Sequence, residues 1–440
     1  MSTIEQLLQP VFEGGIRSVN FFNGRVLSGE DLSDEQEAQR RARRLLGRAV
    51  GEGVAFGFEV SEAPESSTTQ FPVITVEPGL AVNRAGQTLR LGERTEVGLV
   101  RREDSQTFEQ SGVTFRDCSP LQPRLYVAAE AVYLLTVAPA EGREGRAPTT
   151  GAGNLPAAFN TRYLVEGVQF RLIEAVSASN LGDINTLRNR VAYLCYGADA
   201  TRGVATNPFG PALDSYGLLD SLRGDVLTDC EVPLALIYWS NVRGIGFIDM
   251  WAVRRRLTKT AHSEAWQSLV GDRRASESEA MVLQFQDQIA DMRRNTSLPL
   301  NAVAAGQFFR RLPPVGLLPL ARRDATGKQY NGVDPTTFFG GHAPRQAGFF
   351  DEGSPPSPAP RHIPFIDGGL VRSLLADAGK YEPVDLTRGE MVWLYQVLQN
   401  DRAFSTGTNV TPYIIFTTAQ MLYRGSAIFD IARIDESNFG

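Results

Sequence analysis

Hydrophobic positions recur along this chain with two periods, and the period changes mark its elements. Residues 17–27 read as a short extended arm with a turn at Asn23-Gly24. A helix follows, with Ser28 placed to cap it and Asp31 three residues on in a capping-box arrangement. Its charges are sorted: Glu30, Asp31, Asp34, Glu35 and Glu37 precede Arg40, Arg41, Arg43, Arg44 and Arg48. That order suits the helix dipole, and Glu37 and Arg41 stand at i,i+4 in the favourable orientation. Gly47, Gly51, Gly53 and Gly57 break the helix without forming a phosphate-binding G-x-G-x-x-G loop.

Beyond residue 51 the apolar runs become short and turn-bounded. Strands are predicted at 54–60, 73–82 and 88–91, the spacing of an antiparallel sheet or sandwich. Further strands are predicted at 124–137, 163–176 and 232–250; Val168, Phe170 and Leu172 alternate with polar neighbours. Residues 139–160, rich in Gly, Pro, Thr and Asn, read as a long loop. A helical period returns over 251–295, with Val282, Phe285, Ile289 and Met292 on one stripe. Residues 321–362 are Gly/Pro-rich and end in Ser354-Pro-Pro-Ser-Pro-Ala-Pro360, a linker or strap. The last unit mixes a helix near 386–400 with a strand near 412–418.

The expected architecture is therefore α+β and β-rich. An N-terminal arm and helix (1–60) precede a β-sandwich-like body (61–260). A helical connector (261–320), the Gly/Pro-rich linker (321–362) and a C-terminal α+β unit (363–440) follow. At 440 residues, two or three domains are expected.

Composition narrows the function classes. The net charge of −6 argues against general nucleic-acid binding. Arg dominates the basic residues, with Lys only at 259, 328 and 380, a bias that fits both a GC-rich genome and multi-partner interfaces. No apolar run reaches the length of a membrane helix, and the N-terminus has no signal-peptide pattern. Synthesis in the cytoplasm is expected, with any action elsewhere as part of a larger body, either released or membrane-anchored. Cys118, Cys195 and Cys230 are too few and too scattered for a disulfide framework or a zinc knuckle, so free thiols in a reducing compartment are expected.

Catalytic signatures are sparse. His262, His342 and His362 are far apart and fit no metal-binding spacing, and G-x-S-x-G and the P-loop are absent. Carboxylates cluster at Asp220, Asp225, Asp229 and Glu231, and at Glu130, Glu141 and Glu144, but solvated loop charge explains such clusters at least as well as acid–base chemistry. The expectation is a chain without cofactor, metal or catalytic residue.

Two segments resemble a known family. The first is Val19-Asn20-Phe21-Phe22-Asn23-Gly24-Arg25-Val26-Leu27-Ser28-Gly29-Glu30-Asp31-Leu32 with Glu35-Gln36, continuing to Gly51-Glu52-Gly53-Val54-Ala55-Phe56-Gly57-Phe58-Glu59-Val60. The second is Phe308-Phe309-Arg310-Arg311-Leu312-Pro313-Pro314-Val315-Gly316-Leu317-Leu318-Pro319. Together, from 19 to 60 and from 308 to 319, they span about an eighth of the chain. Both are similar to motifs of bacterial proteins encoded beside phage-tail-like contractile injection systems; Phe58 departs from the leucine usual there. The resemblance implies a structural subunit at the baseplate or around the spike, a trimer or hexamer that binds other baseplate or spike subunits, with no nucleic acid and no membrane insertion. It carries no catalytic residue. Aromatic and Arg anchors dominate interfaces, which makes Phe21, Phe22, Arg25, Asp31, Gln36, Arg40, Arg44, Phe308, Phe309, Pro313 and Pro314 the candidate assembly residues. A fibre-like adhesin for cell-surface glycan is the first alternative, and a cell-wall hydrolase the second.

Overall fold

The computed structural model describes residues 15–100, 127, 129–148, 159–198, 217–223, 226–258, 272–295, 297–324, 327–340, 363, 365–388, 390 and 392–418. It is a mixed α+β, β-rich fold.

After an extended arm, helix α1 spans Gly29–Val50. Its start is fixed as the sequence implies. The Asp31 amide donates to Ser28 Oγ at 3.1 Å, and the Ser28 amide donates back to Asp31 Oδ2 at 2.9 Å. Six short strands follow: β1 Gly53–Gly57, β2 Val60–Glu62, β3 Val73–Val76, β4 Gly79–Val82, β5 Thr88–Leu91 and β6 Thr95–Gly98. They pair antiparallel into two three-stranded sheets, ordered β1-β4-β5 and β2-β3-β6.

Next come two 18-residue strands, β7 Ala131–Pro148 and β8 Phe159–Val176, then α2 Ile184–Cys195, α3 Leu218–Leu222, β9 Val232–Ser240 and β10 Gly244–Asp249. These strands form an antiparallel sheet, β10-β9-β7-β8. Period-two alternation gives this sheet two apolar faces. Tyr133, Leu135 and Val137 of β7 pack with Phe58, Ile74, Ala81 and Leu89 of the small sheets. Val132 and Leu134 pack the other way, against Leu187, Val191 and Tyr193 of α2. The body is thus sandwich-like on one side only, and helices cover the other.

Helix α4, Asp272–Arg294, is shared between the two halves. Ala280 and Met281 join the α2 side of the first core. Phe285, Ile289 and Met292 enter a second core with Phe309, Leu318, Phe338, Phe416 and others. That second half is built by β11 Arg311–Leu312, β12 Val315–Pro319, β13 Arg322–Arg323, β14 Gln329–Tyr330, α5 Pro335–Phe339, β15 Phe365–Ile366, α6 Gly368–Asp377, β16 Val384–Asp385, β17 Trp393–Val397, α7 Leu398–Ser405 and β18 Tyr413–Thr417. Its main sheet runs β12-β18-β17-β15, with only the β15–β17 pair parallel. Gly316 lets the sheet approach the aromatic cluster: a Cβ there would meet the Phe416 ring at 2.5 Å and Phe285 at 2.9 Å.

A buried polar joint ties the halves together. Arg188 of α2 is 7% exposed and donates to Asp249 Oδ2 of β10 at 2.8 Å. It also donates to Asp287 and Asp291 of α4, both at 2.6 Å. Gln284 of α4 reaches the same Asp249 Oδ2 at 3.0 Å. The neighbouring Asn189 Oδ1 accepts from the amides of Arg310 and Arg311, and its Nδ2 donates to the Arg311 carbonyl at 3.0 Å. Burial opposes the Arg188 charge, but the surrounding carboxylates, Asp249 foremost, overcome it and hold the guanidinium protonated. Burial also pushes the Asp287 carboxyl above the usual carboxylate range, against the pull of Arg188.

Several expectations are corrected. Residues 139–148 and 159–160 are paired strand, because β7 and β8 continue their ladder past the rest of the sheet. Within the predicted 251–295 helix, residues 251–258 are turn and bridge, and the described helix starts at Asp272. Residues 300–320 belong to the second core rather than to a connector. Residues 322–339 contain a hairpin and a helix whose Phe338 and Phe339 are buried, so that part is no linker. The predicted helix near 386–400 is a buried strand, Trp393–Val397, followed by α7. Cys195 is a free, buried thiol, but Cys230 is disulfide-bonded to a partner outside the described residues, against the expectation of three free thiols. The strap at 354–360 and the three histidines also lie outside the described residues.

Replacing Arg188 by Met should leave Asp249, which is 0% exposed, as an uncompensated buried charge. The expected loss of stability is about 3–5 kcal/mol by urea unfolding. Arg188→Lys should fall between, because a point charge cannot span three carboxylates. A loss below about 1 kcal/mol for Arg188→Met would show that the joint does not hold the halves together.

Candidate assembly face

Side-chain contacts fold the arm back along the first turns of α1. The Val19 amide donates to Glu35 Oε2 at 3.1 Å, and Arg25 Nη1 donates to the Asn20 carbonyl at 2.8 Å. Arg25 Nη2 bonds the Asp31 carboxylate, and the guanidinium lies 5.9 Å from the centre of the Phe22 ring. The Ser28 amide and hydroxyl, with Arg25, hold the Asp31 carboxyl below the usual carboxylate range. Arg25 and Asp31 therefore position the arm, which is a local role that sequence spacing alone does not reveal.

With its polar atoms tied down, the arm turns its apolar side chains outward. Phe21 is 51% exposed, Phe22 62% and Val26 90%. Along α1 only Ala38 is buried. Leu32, Leu45, Leu46 and Val50 are exposed, and so is Phe56 in the strand that follows. Leu46 and Val50 are four apart and share a helix face. A helix of this length with one buried residue is rare in a finished fold, since most helical stability comes from packing an apolar face.

The helix meets the body chiefly at its C-terminal end. Gly47 and Gly86 pack backbone to backbone: a Cβ on Gly47 would lie 2.1 Å from the Gly86 carbonyl oxygen. Arg48 Nε donates to the Ala85 carbonyl at 3.3 Å. Arg44 presents its main-chain carbonyl to Gly86 at the same place. Arg40 stands 3.9 Å from Glu166 of β8, a long ion pair to a mostly exposed carboxylate. Gln36 is exposed, and Arg41 pairs with Glu37 at 3.4 Å.

Beside α1 rises a second unpartnered feature. β9 covers β7 only as far as Val137. From Ala138 to Pro148, β7 pairs with β8 alone, as a two-stranded ribbon. At about 3.3 Å per residue it reaches roughly 35 Å beyond the sheet. Tyr163, Leu164 and Val165 are exposed on it. Ribbons of two strands are marginal in water and gain from a third strand or a covering helix. Exposed apolar groups rimmed by charge mark interaction surfaces.

The second motif has a different fate. Phe308 is half-buried, and Phe309 is 1% exposed, with its ring 5.3 Å from Phe285 and 6.2 Å from Phe338. Pro313 and Pro314 are buried, and the Pro314 carbonyl accepts from the Thr418 amide at 2.9 Å. The expectation that Phe309, Pro313 and Pro314 meet a partner directly gives way to internal packing. Conversely, Leu45, Leu46, Val50 and Tyr163–Val165, which the sequence does not single out, are exposed. The adjacent leucines inside an Arg-rich helix were the available signal.

Three of the clustered carboxylates lie in ion pairs, Glu130 accepts from the Tyr238 hydroxyl, and Asp225 lies outside the described residues. Asp220 bonds Arg273, Asp229 stands 3.8 Å from Arg223, and Glu231 accepts from Arg171 at 2.7 Å. Among the described residues, no group of three or more His, Cys, Asp or Glu is arranged to hold a metal ion, and no helix is long and apolar enough to cross a membrane.

No family model matches the chain. No curated protein matches it. Among solved structures, a chain described as the crystal structure of TssK is similar at 10% identity, over 47% of this chain and 53% of that one, with a TM-score of 0.20. This chain thus spans about half the length of that neighbour. At that TM-score the likeness carries no information on fold or role.

Acidification should loosen the arm before the body. A carboxyl whose folded pKa is depressed stabilises the fold above its unfolded value, and that contribution is lost as pH falls through the folded value. Asp31 is such a group. Below the ordinary carboxylate range, hydrogen exchange at the Val19 and Ser28 amides, corrected for intrinsic rate, should rise while amides of β7 and β9 stay protected. Equal loss of protection in both places would contradict this.

Proposed function

We propose that this chain is a structural subunit of a phage-tail-like contractile injection particle, placed at the baseplate or around the spike, and that it works by assembly rather than catalysis. The observation that supports the reading best is α1 with its arm: an ordered, capped helix that buries one residue and turns Phe21, Phe22, Val26, Leu45, Leu46 and Val50 to the outside. Such a surface is costly in a lone molecule and useful in a joint, where its apolar area is withdrawn from water. The F-F-N-G-R arm and E-D-L/E-Q helix that resemble the particle-associated family form this same feature. In the proposed assembly the chain is a trimer or hexamer, matched to the symmetry of the particle, with other baseplate or spike subunits as further neighbours.

Deleting residues 1–30 should abolish incorporation into sedimented particles while the body keeps its unfolding midpoint. A Leu45→Glu/Leu46→Glu double variant should do the same with a stability change within about 0.5 kcal/mol, because neither side chain is packed. Mass spectrometry of particles and light scattering of the purified chain read the result. Truncated chains retained in particles at normal levels, or a wild-type monomer absent from particles, would overturn the reading.

A further inference from the structure

Away from the assembly face, a cavity of about 70 Å³ opens between the start of β1, the turn at Arg84, α3, the start of β9 and the first turns of α4. Space of that size holds a few waters or one small ion. Its walls are rich in guanidinium: Arg84, Arg223, Arg255 and Arg273 line it against Glu52, Asp220 and Glu277. The carboxylates are already engaged. Glu52 Oε2 accepts from Arg84 at 2.7 Å and from Arg223 Nη2 at 3.3 Å, Asp220 bonds Arg273, and Glu277 accepts from Arg273 Nε at 3.1 Å.

One cation lacks a carboxylate, and a second has donor atoms to spare. Arg255 has no carboxylate partner among the described residues; it donates to the carbonyls of Trp251, Ala252 and Arg254 and lies over the Tyr196 ring at 5.0 Å. Arg223 Nε and Nη1 are buried and donate to nothing, the Asp229 carboxylate being 3.8 Å from Nη1. Burial depresses the Arg223 pKa, and Arg84 adds to the effect, although Glu52 opposes it. A third unmet donor lines the same space: Ser276 is 3% exposed and its hydroxyl has no hydrogen-bond partner. Ser276 stands in the first turns of α4, where the helix dipole favours negative charge. Buried donors without acceptors are unfavourable unless something supplies the acceptor. Three such donor atoms, and an Arg255 guanidinium with no carboxylate partner among the described residues, call for the same chemistry.

We propose that this cavity binds a small oxyanion, either free phosphate or the carboxylate of a small acid, through Arg223, Ser276 and the first turns of α4. The site lies in the body, so it stands or falls independently of the assembly reading. Sodium phosphate and sodium acetate are titrated separately into the full chain by calorimetry, with thermal unfolding as a second readout. At least one anion should bind once per chain and raise the unfolding midpoint. Ser276→Ala removes no existing hydrogen bond, yet it should weaken binding about fivefold or more. Arg223→Lys should weaken it further, because it removes the guanidinium fork. Binding of phosphate alone identifies a tetrahedral anion, of acetate alone a carboxylate, and of both a site that reads charge and donors. No saturable binding of either anion up to about ten millimolar overturns the proposal. So does equal affinity in the wild type and Ser276→Ala, a comparison that holds even if the Arg223 variant does not fold.

Discussion

Arg188 sets the geometry on which the rest of the fold depends. A guanidinium has a planar fork of donors and stays charged, so it can serve three carboxylates in three directions at once. Here those carboxylates come from a sheet strand and from two successive turns of α4. Removing such a cation from water is expensive, and the surrounding bonds only roughly offset that cost. Its structural effect is angular. α2 and α4 each pack against the sheet through apolar contacts that tolerate sliding, whereas the hydrogen bonds at Arg188 and Asn189 admit one register. The second half of the chain follows, because Asn189 also grips the backbone where β11 begins.

α4 converts that register into a two-sided scaffold. Its early apolar residues face the α2 side and its later ones face the aromatic cluster of Phe285, Phe309, Phe338, Phe339 and Phe416. The two cores thus share one element, and neither half has an independent boundary at the helix. α1 is the opposite case. It is stabilised by its capping box, its charge order and its length, and only weakly by burial.

How much of this was legible depended on whether an element shows water one face. The arm, the Ser28–Asp31 cap, α1 and the first strands were readable because caps, turns and alternation are local. α2 escaped notice since Arg188 and Asn189 are buried beside Leu187 and Val191, which erases the amphipathic stripe. Trp393–Val397 reads as helix in the sequence because a short buried apolar run has no distinguishing period. The ribbon past Ala138 failed for the reverse reason: both faces are exposed, so its composition resembles a loop. Of the exposed apolar face on the arm and α1, the aromatic part is legible in Phe21 and Phe22. The interior position of Phe309 and Pro313-Pro314 could not, as the same residue types anchor cores and interfaces alike.

The contact between Gly47 and Gly86 makes α1 behave as a boom mounted at one end. From that mount back to Gly29 the helix extends about 27 Å. Without side chains at the crossing, the helix can come close to the turn, and its further polar ties to the body are long: Arg48 to the Ala85 carbonyl and Arg40 to Glu166. A swing of about ten degrees would carry the aromatic arm by roughly 5 Å at the far end. A body held rigid by Arg188 would then carry an apolar element able to follow a surface that shifts against it.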